Sequence, residues 1–125
     1  MAGLSKVVTF VATKNPQQAK QFYGEKLGLR FLTDDSFALV FDIGGTMLRI
    51  AKVKDFEPEP FTVLGWEVTA IDEIVSQLSA KGVVFERFSG MPQDKLGIWS
   101  APGGAKVAWF KDPDGNILSL SQHPA

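Results

Sequence analysis

Glu57-Pro58-Glu59-Pro60 is the stretch from which the fold can be read. Alternating prolines continue neither a helix nor a central strand, so these residues form a stiff extended linker. The chain reads alike on either side of them. Upstream, residues 6–12 are largely apolar on both parities (Val7, Thr9, Val11 and Val8, Phe10, Ala12), which predicts a strand buried on both faces. Asn15-Pro16 then offers an N-cap and a first-turn proline, with Gln18 at capping-box spacing. Ala19, Phe22, Tyr23 and Leu27 make one apolar stripe, and Gly28 ends the helix. Strands are predicted over 29–33, 37–41 and 46–53, punctuated by turns at Asp34-Asp35-Ser36 and Asp42-Ile43-Gly44-Gly45.

Downstream the order repeats. Residues 61–68 read as a strand. Thr69 can cap a helix with Asp72 at N3, Ile71, Ile74, Val75 and Leu78 form its stripe, and Gly82 stops it. Strands follow over 83–88, 106–111 and 116–122, the last two joined by the turn Asp112-Pro113-Asp114-Gly115. Each half is β-α-β-β-β, offset by about 55 residues. The fold class is therefore α+β: a single domain over 1–125 with one βαβββ module at 5–54, a linker at 55–60 and a second module at 61–123. One module leaves a sheet face bare. Two placed side by side curve a mixed sheet around a concave cavity, the natural ligand site, with helices outside. Residues 89–105, rich in glycine and proline, read as an irregular lid.

Composition narrows the chemistry. The 125 residues are 45% apolar and 22% charged, a globular balance. There is no cysteine, which excludes disulfides, thiolate metal sites and a cysteine nucleophile. The net charge of −1 gives no attraction to nucleic acid or anionic membrane. No run approaches the ~20 apolar residues of a membrane span, and residues 1–6 lack a signal peptide's apolar core, so a soluble cytoplasmic protein is expected. The one histidine, His123, rules out two-His and three-His metal centres within one chain.

Phe22-Tyr23-Gly24-Glu25-Lys26-Leu27-Gly28-Leu29 in the first half and Phe110-Lys111-Asp112-Pro113-Asp114-Gly115-Asn116 in the second carry a family resemblance. The chain resembles the vicinal oxygen chelate superfamily of glyoxalase I, extradiol dioxygenases and bleomycin-resistance proteins. The resemblance implies homodimers, and enzymes whose divalent ion is held on four strands by His or Glu. Counting from the motifs, those positions fall on Val8, Arg49, Val63 and Ser119. Two aliphatics, a cation and a neutral hydroxyl make no metal site. No cofactor is expected.

Several side chains are candidates for ligand contact. Arg49 shares parity with Met47 and Ala51 and so points into the concavity, where it would clamp an anion or pair with Glu67. Phe10, Met47, Ile117 and either Trp109 or Phe110 would wall the cavity, with Trp99 at its mouth and Ser119 as a hydrogen-bonding group. For each tryptophan, core or dimer packing is the competing account, and Trp66 is placed under the helix. Ser119 and Ser121 lack a well-placed base, since His123 lies at a strand end. Asp34 and Asp35 read as solvated turn residues, Asp112 and Asp114 as turn formers, and Tyr23 as core. Gly44-Gly45 and Gly103-Gly104 precede no helix, so they read as turns rather than phosphate cradles.

The expected function is binding of a small organic molecule without metal. The alternatives are a metal-free lyase or isomerase using Glu67 as base and Arg49 as oxyanion clamp, and a pocketless interaction module. No catalytic residue is assigned. A homodimer is expected, because open sheet edges favour pairing.

Overall fold

The computed structural model describes residues 2–124. The chain separates between Glu57 and Pro58 into two compact units, each built on a four-stranded mixed sheet.

The first unit contains β1 (Val8–Thr13), α1 (Pro16–Gln21), β2 (Arg30–Asp34), β3 (Ala38–Ile43) and β4 (Thr46–Lys52). Its sheet order is β1-β4-β3-β2, with β1 parallel to β4 and the other pairs antiparallel. Val11, Leu39, Phe41, Leu48 and Ile50 face the helical segment and are buried with Ala19, Phe22 and Tyr23. The predicted helix through Leu27 is not uniform. After Gln21 it widens into a π-helical turn, Phe22–Lys26, in which the Leu27 N–H donates to the Phe22 carbonyl at 3.0 Å. Two successive aromatics thereby enter the core, and Tyr23 lies 6.2 Å from Phe41 between ring centroids. The capping box does not form. Asn15 makes no side-chain cap, and its own N–H donates to Thr13 Oγ1 at 3.0 Å.

The second unit contains β5 (Thr62–Glu67), α2 (Ile71–Ala80), β6 (Trp99–Ser100), β7 (Lys106–Lys111) and β8 (Ile117–Gln122), in the sheet order β5-β8-β7-β6. Here β5 runs parallel to β8. Ile71, Val75 and Leu78 of α2 are buried, as are Ala108, Phe110, Leu118 and Leu120 on the sheet. Phe110 sits 5.4 Å from Phe85 and is stacked on Trp66 at 6.4 Å. The cap of α2 differs from expectation. Ala70 occupies the N-cap position, so Thr69 stands one residue too early, and Gln122 Oε1 accepts from the Ile71 N–H at 2.9 Å.

Residues 83–88 form no strand, only an isolated bridge between Phe85 and Phe110. The Glu86 N–H still donates to the Trp109 carbonyl on β7 at 2.8 Å, but the pairing goes no further. Gln93 Oε1 accepts from the Phe88 N–H at 2.8 Å, while its amide donates to the carbonyls of Glu86 (2.9 Å) and Gly97 (2.8 Å). One glutamine thus satisfies the Phe88 N–H and the Glu86 and Gly97 carbonyls. Residues 89–105 are correspondingly more ordered than an irregular lid. Asp94 Oδ1 accepts from the N–H groups of Leu96 and Ile98, both at 2.9 Å, and Trp99 pairs with Val107 as edge strand β6.

Candidate functional site

The first unit presents Val8, Phe10 and Ala12 of β1 beside Met47, Arg49 and Ala51 of β4 on the sheet face away from its helix. Phe10 is 60% exposed, Val8 40% and Met47 39%. Phe10, Met47 and Arg49 are therefore neighbours on this face. Arg49 has a carboxylate partner within its own unit. Its guanidinium donates to Asp35 Oδ2 at 2.7 Å, and Lys52 Nζ reaches Asp34 Oδ1 at 2.6 Å. Asp34 and Asp35 are thus ion-paired, not merely solvated. The hairpin from β3 into β4 returns Arg49 and Lys52 beside the turn that carries both aspartates. Local backbone bonds hold the carboxylates in place: Asp34 accepts from the Ser36 N–H at 3.0 Å, and Asp35 from those of Phe37 (3.0 Å) and Ala38 (2.8 Å). Hydrogen bonds from Lys52 to Asp34 and from Arg49 to Asp35 lower both carboxyl pKa values below the usual aspartate range.

In the second unit the face away from α2 carries two rows, Gly65–Ser119–Trp109 and Glu67–Ser121–Val107 with Trp99 beyond. Of the paired alternatives, Phe110 is the core residue and Trp109 takes the opposite face, with Trp99 at 6.1 Å and Phe88 edge-on at 5.4 Å. Trp99, Trp109 and Ser119 are thereby adjacent. A Cβ on Gly65 would come within 2.7 Å of Ser119 Oγ, so glycine is what lets that hydroxyl lie over β5. Glu67 is exposed. His123 Nε2 lies 3.1 Å from Ser121 Oγ at the exposed end of β8.

A pocket of about 210 Å³ opens on this face. Thr62, Trp109 and Ile117 form its sheet side, Pro60 and Phe61 come from the linker and its edge, and Phe88 and Met91 close it from the segment that Gln93 ties down. Sequence reasoning proposed Trp109 and Ile117 as walls but not the other five residues. Pro60 and Phe61 looked like linker and strand start. Phe88 read as the end of a strand and Met91 as part of an irregular segment, so no local signal marked either as a wall.

The superfamily enzymes' metal finds no fitting donor set. Val8 and Val63 have no lone pairs, and Val63 occupies a bulge between Thr62 and Leu64. Arg49 brings a positive charge already held by Asp35. Ser119 offers a neutral hydroxyl, a weak ligand. Among the described residues no group of three or more His, Asp or Glu side chains stands ready to hold an ion.

The family model of the Glyoxalase/Bleomycin resistance protein/Dioxygenase superfamily matches residues 5–120. No curated protein matches the sequence significantly. Solved structures do resemble the fold. A superfamily member from Sphaerobacter thermophilus aligns with TM-score 0.77 at 20% identity, covering 98% of this chain and 100% of that one. Lactoylglutathione lyase from Agrobacterium tumefaciens gives 0.73 at 17% identity over 98% and 96% of the two chains. TioX from Micromonospora sp. ML1 gives 0.70 at 17% identity over 96% and 99%. At these identities the structures speak for the fold. With the family model covering nearly the whole chain and both sheets in place, this protein belongs to the glyoxalase/bleomycin resistance/dioxygenase superfamily.

Proposed function

We propose that this protein binds a small organic molecule on the sheet face carrying Trp99, Trp109 and Ser119, and does so without a metal ion. The observation that carries this reading is the pocket, walled by Phe88, Met91, Trp109 and Ile117. Concave apolar sites with a few polar groups are the usual form of small-molecule sites. The unsuitability of Val8, Arg49, Val63 and Ser119 as donors supports the metal-free part. Phe10, Met47 and Arg49 form a second apolar patch with one cation in the first unit. Homodimerisation belongs to the same proposal, because β1 and β5 are edge strands of their sheets and open edges favour pairing.

The rival enzyme reading, with Glu67 as base and Arg49 as oxyanion clamp, loses support. Arg49 is engaged by Asp35, and Glu67 is exposed rather than desolvated. A pocketless interaction module is disfavoured by the pocket itself. The test is a thermal-shift series. Zn²⁺, Ni²⁺, Mn²⁺ and Fe²⁺ are expected to leave the midpoint unchanged, while small organic compounds raise it. A divalent ion bound tightly at one per chain beside Ser119 would overturn the proposal.

A further inference from the structure

We infer that the pocket between Thr62, Trp109 and Ile117 anchors one uncharged aromatic or alicyclic ring, so that the ligand is neutral at that end. This rests on the small-molecule reading above and deepens it. None of the seven lining residues is ionisable. A carboxylate or ammonium entering there would lose hydration without gaining a countercharge. The nearest cation in register is Lys111, opposite Ile117, and its ammonium is turned to Glu86 at 3.8 Å. The size agrees. A dry cavity of about 150 Å³ takes up benzene, whereas sites for drug-sized ligands run from roughly 300 to 1,000 Å³. At about 210 Å³ this pocket holds one ring with a small substituent. Trp109 and Phe88 offer aromatic contact, Met91 offers a polarisable thioether, and Thr62 supplies the only side-chain hydroxyl of the lining. The rest of a larger ligand would run along the shallow Gly65–Ser119 row, where the missing side chain of Gly65 leaves the serine accessible.

The test uses the full chain with benzyl alcohol and toluene as neutral probes and benzoate and benzylammonium as charged ones. Binding is read by tryptophan fluorescence and by the NMR signal of the Trp109 indole N–H. Both neutral probes are expected to shift that signal, with the charged probes roughly tenfold or more weaker. Thr62→Val should weaken benzyl alcohol by about fivefold and leave toluene unchanged. Met91→Trp, on an external segment, should fill the space and abolish both responses while the protein still melts cooperatively. Benzoate binding as tightly as benzyl alcohol would overturn the inference, and so would a Trp109 signal unmoved by every probe. If organic probes instead perturb only the Phe10–Arg49 face, the inference and the placement of the site on the Trp109 face both fail, while small-molecule binding itself survives. If only a divalent ion binds, both fall.

Discussion

Arg49 and Asp35 are fourteen residues apart, and the pairing between them comes from the hairpin's return path rather than from strand parity. Parity placed Arg49 on the correct face but could not choose among carboxylates. The same limit applied to Trp109 and Phe110, adjacent aromatics whose exchange becomes decidable only once Phe85 and Trp66 are seen to enclose Phe110. The Asp35 pair makes a test at this scale. With a folded pKa below 3.8, Asp35 favours the native state above that ordinary value, and the contribution fades as pH falls through the lowered value. Arg49→Ala removes the principal hydrogen bond to the carboxylate. Carboxyl NMR titration should then show the Asp35 midpoint moving up towards 3.8, with Asp34, held by Lys52, little affected. An unmoved Asp35 midpoint would contradict the pairing.

Helix ends and turns show how far local signals carry. The Asp112-Pro113-Asp114-Gly115 turn was legible because its chemistry is local. Asp112 Oδ1 accepts from the N–H groups of Asp114 (2.9 Å) and Asn116 (3.0 Å), and Oδ2 accepts from the Asn116 side-chain amide at 2.8 Å. Asp112→Ala leaves those donors without their acceptor in a buried setting and should cost about 2–3 kcal/mol in denaturant unfolding. The cap of α2 was not legible, because its acceptor, Gln122, is 51 residues away. Gln122→Ala should cost about 1 kcal/mol, with faster amide exchange confined to the first turn of α2. An equal cost from Thr69→Ala would restore the local cap. The break at 83–88 was not legible either: Gln93, five residues beyond Phe88, takes the Phe88 N–H and the Glu86 carbonyl, and the apolar pattern of the run does not mark this.

At the scale of the molecule, each unit centres on one fully buried phenylalanine, Phe41 on β3 and Phe110 on β7. Truncating either should cost about 3–5 kcal/mol. That is a large share of the roughly 5–15 kcal/mol available to a domain of this kind. Phe110→Ala is expected to lower the melting temperature sharply, measured by circular dichroism, because Trp66 and Phe85 both lose the ring they pack on. A shift of only a few degrees would show that β7 does not bear the core of its unit.

What the sequence by itself determined is the β-α-β-β-β order of the first unit, the β-α start and the closing hairpin of the second, the Asp112–Gly115 turn and the strand parities. These depend on residue identity and short spacings, and short-range sterics and periodic burial act within a few residues. Only the tertiary structure decided that Arg49 belongs to Asp35, that Gln122 and Gln93 supply bonds expected from nearby residues, and that Pro60, Phe61, Thr62, Phe88 and Met91 gather around Trp109. Apart from the Gln93 bonds, which span four to seven residues, those contacts join groups well separated along the chain. Their free energy appears only after folding has ordered the backbone between them, so no local pattern records them.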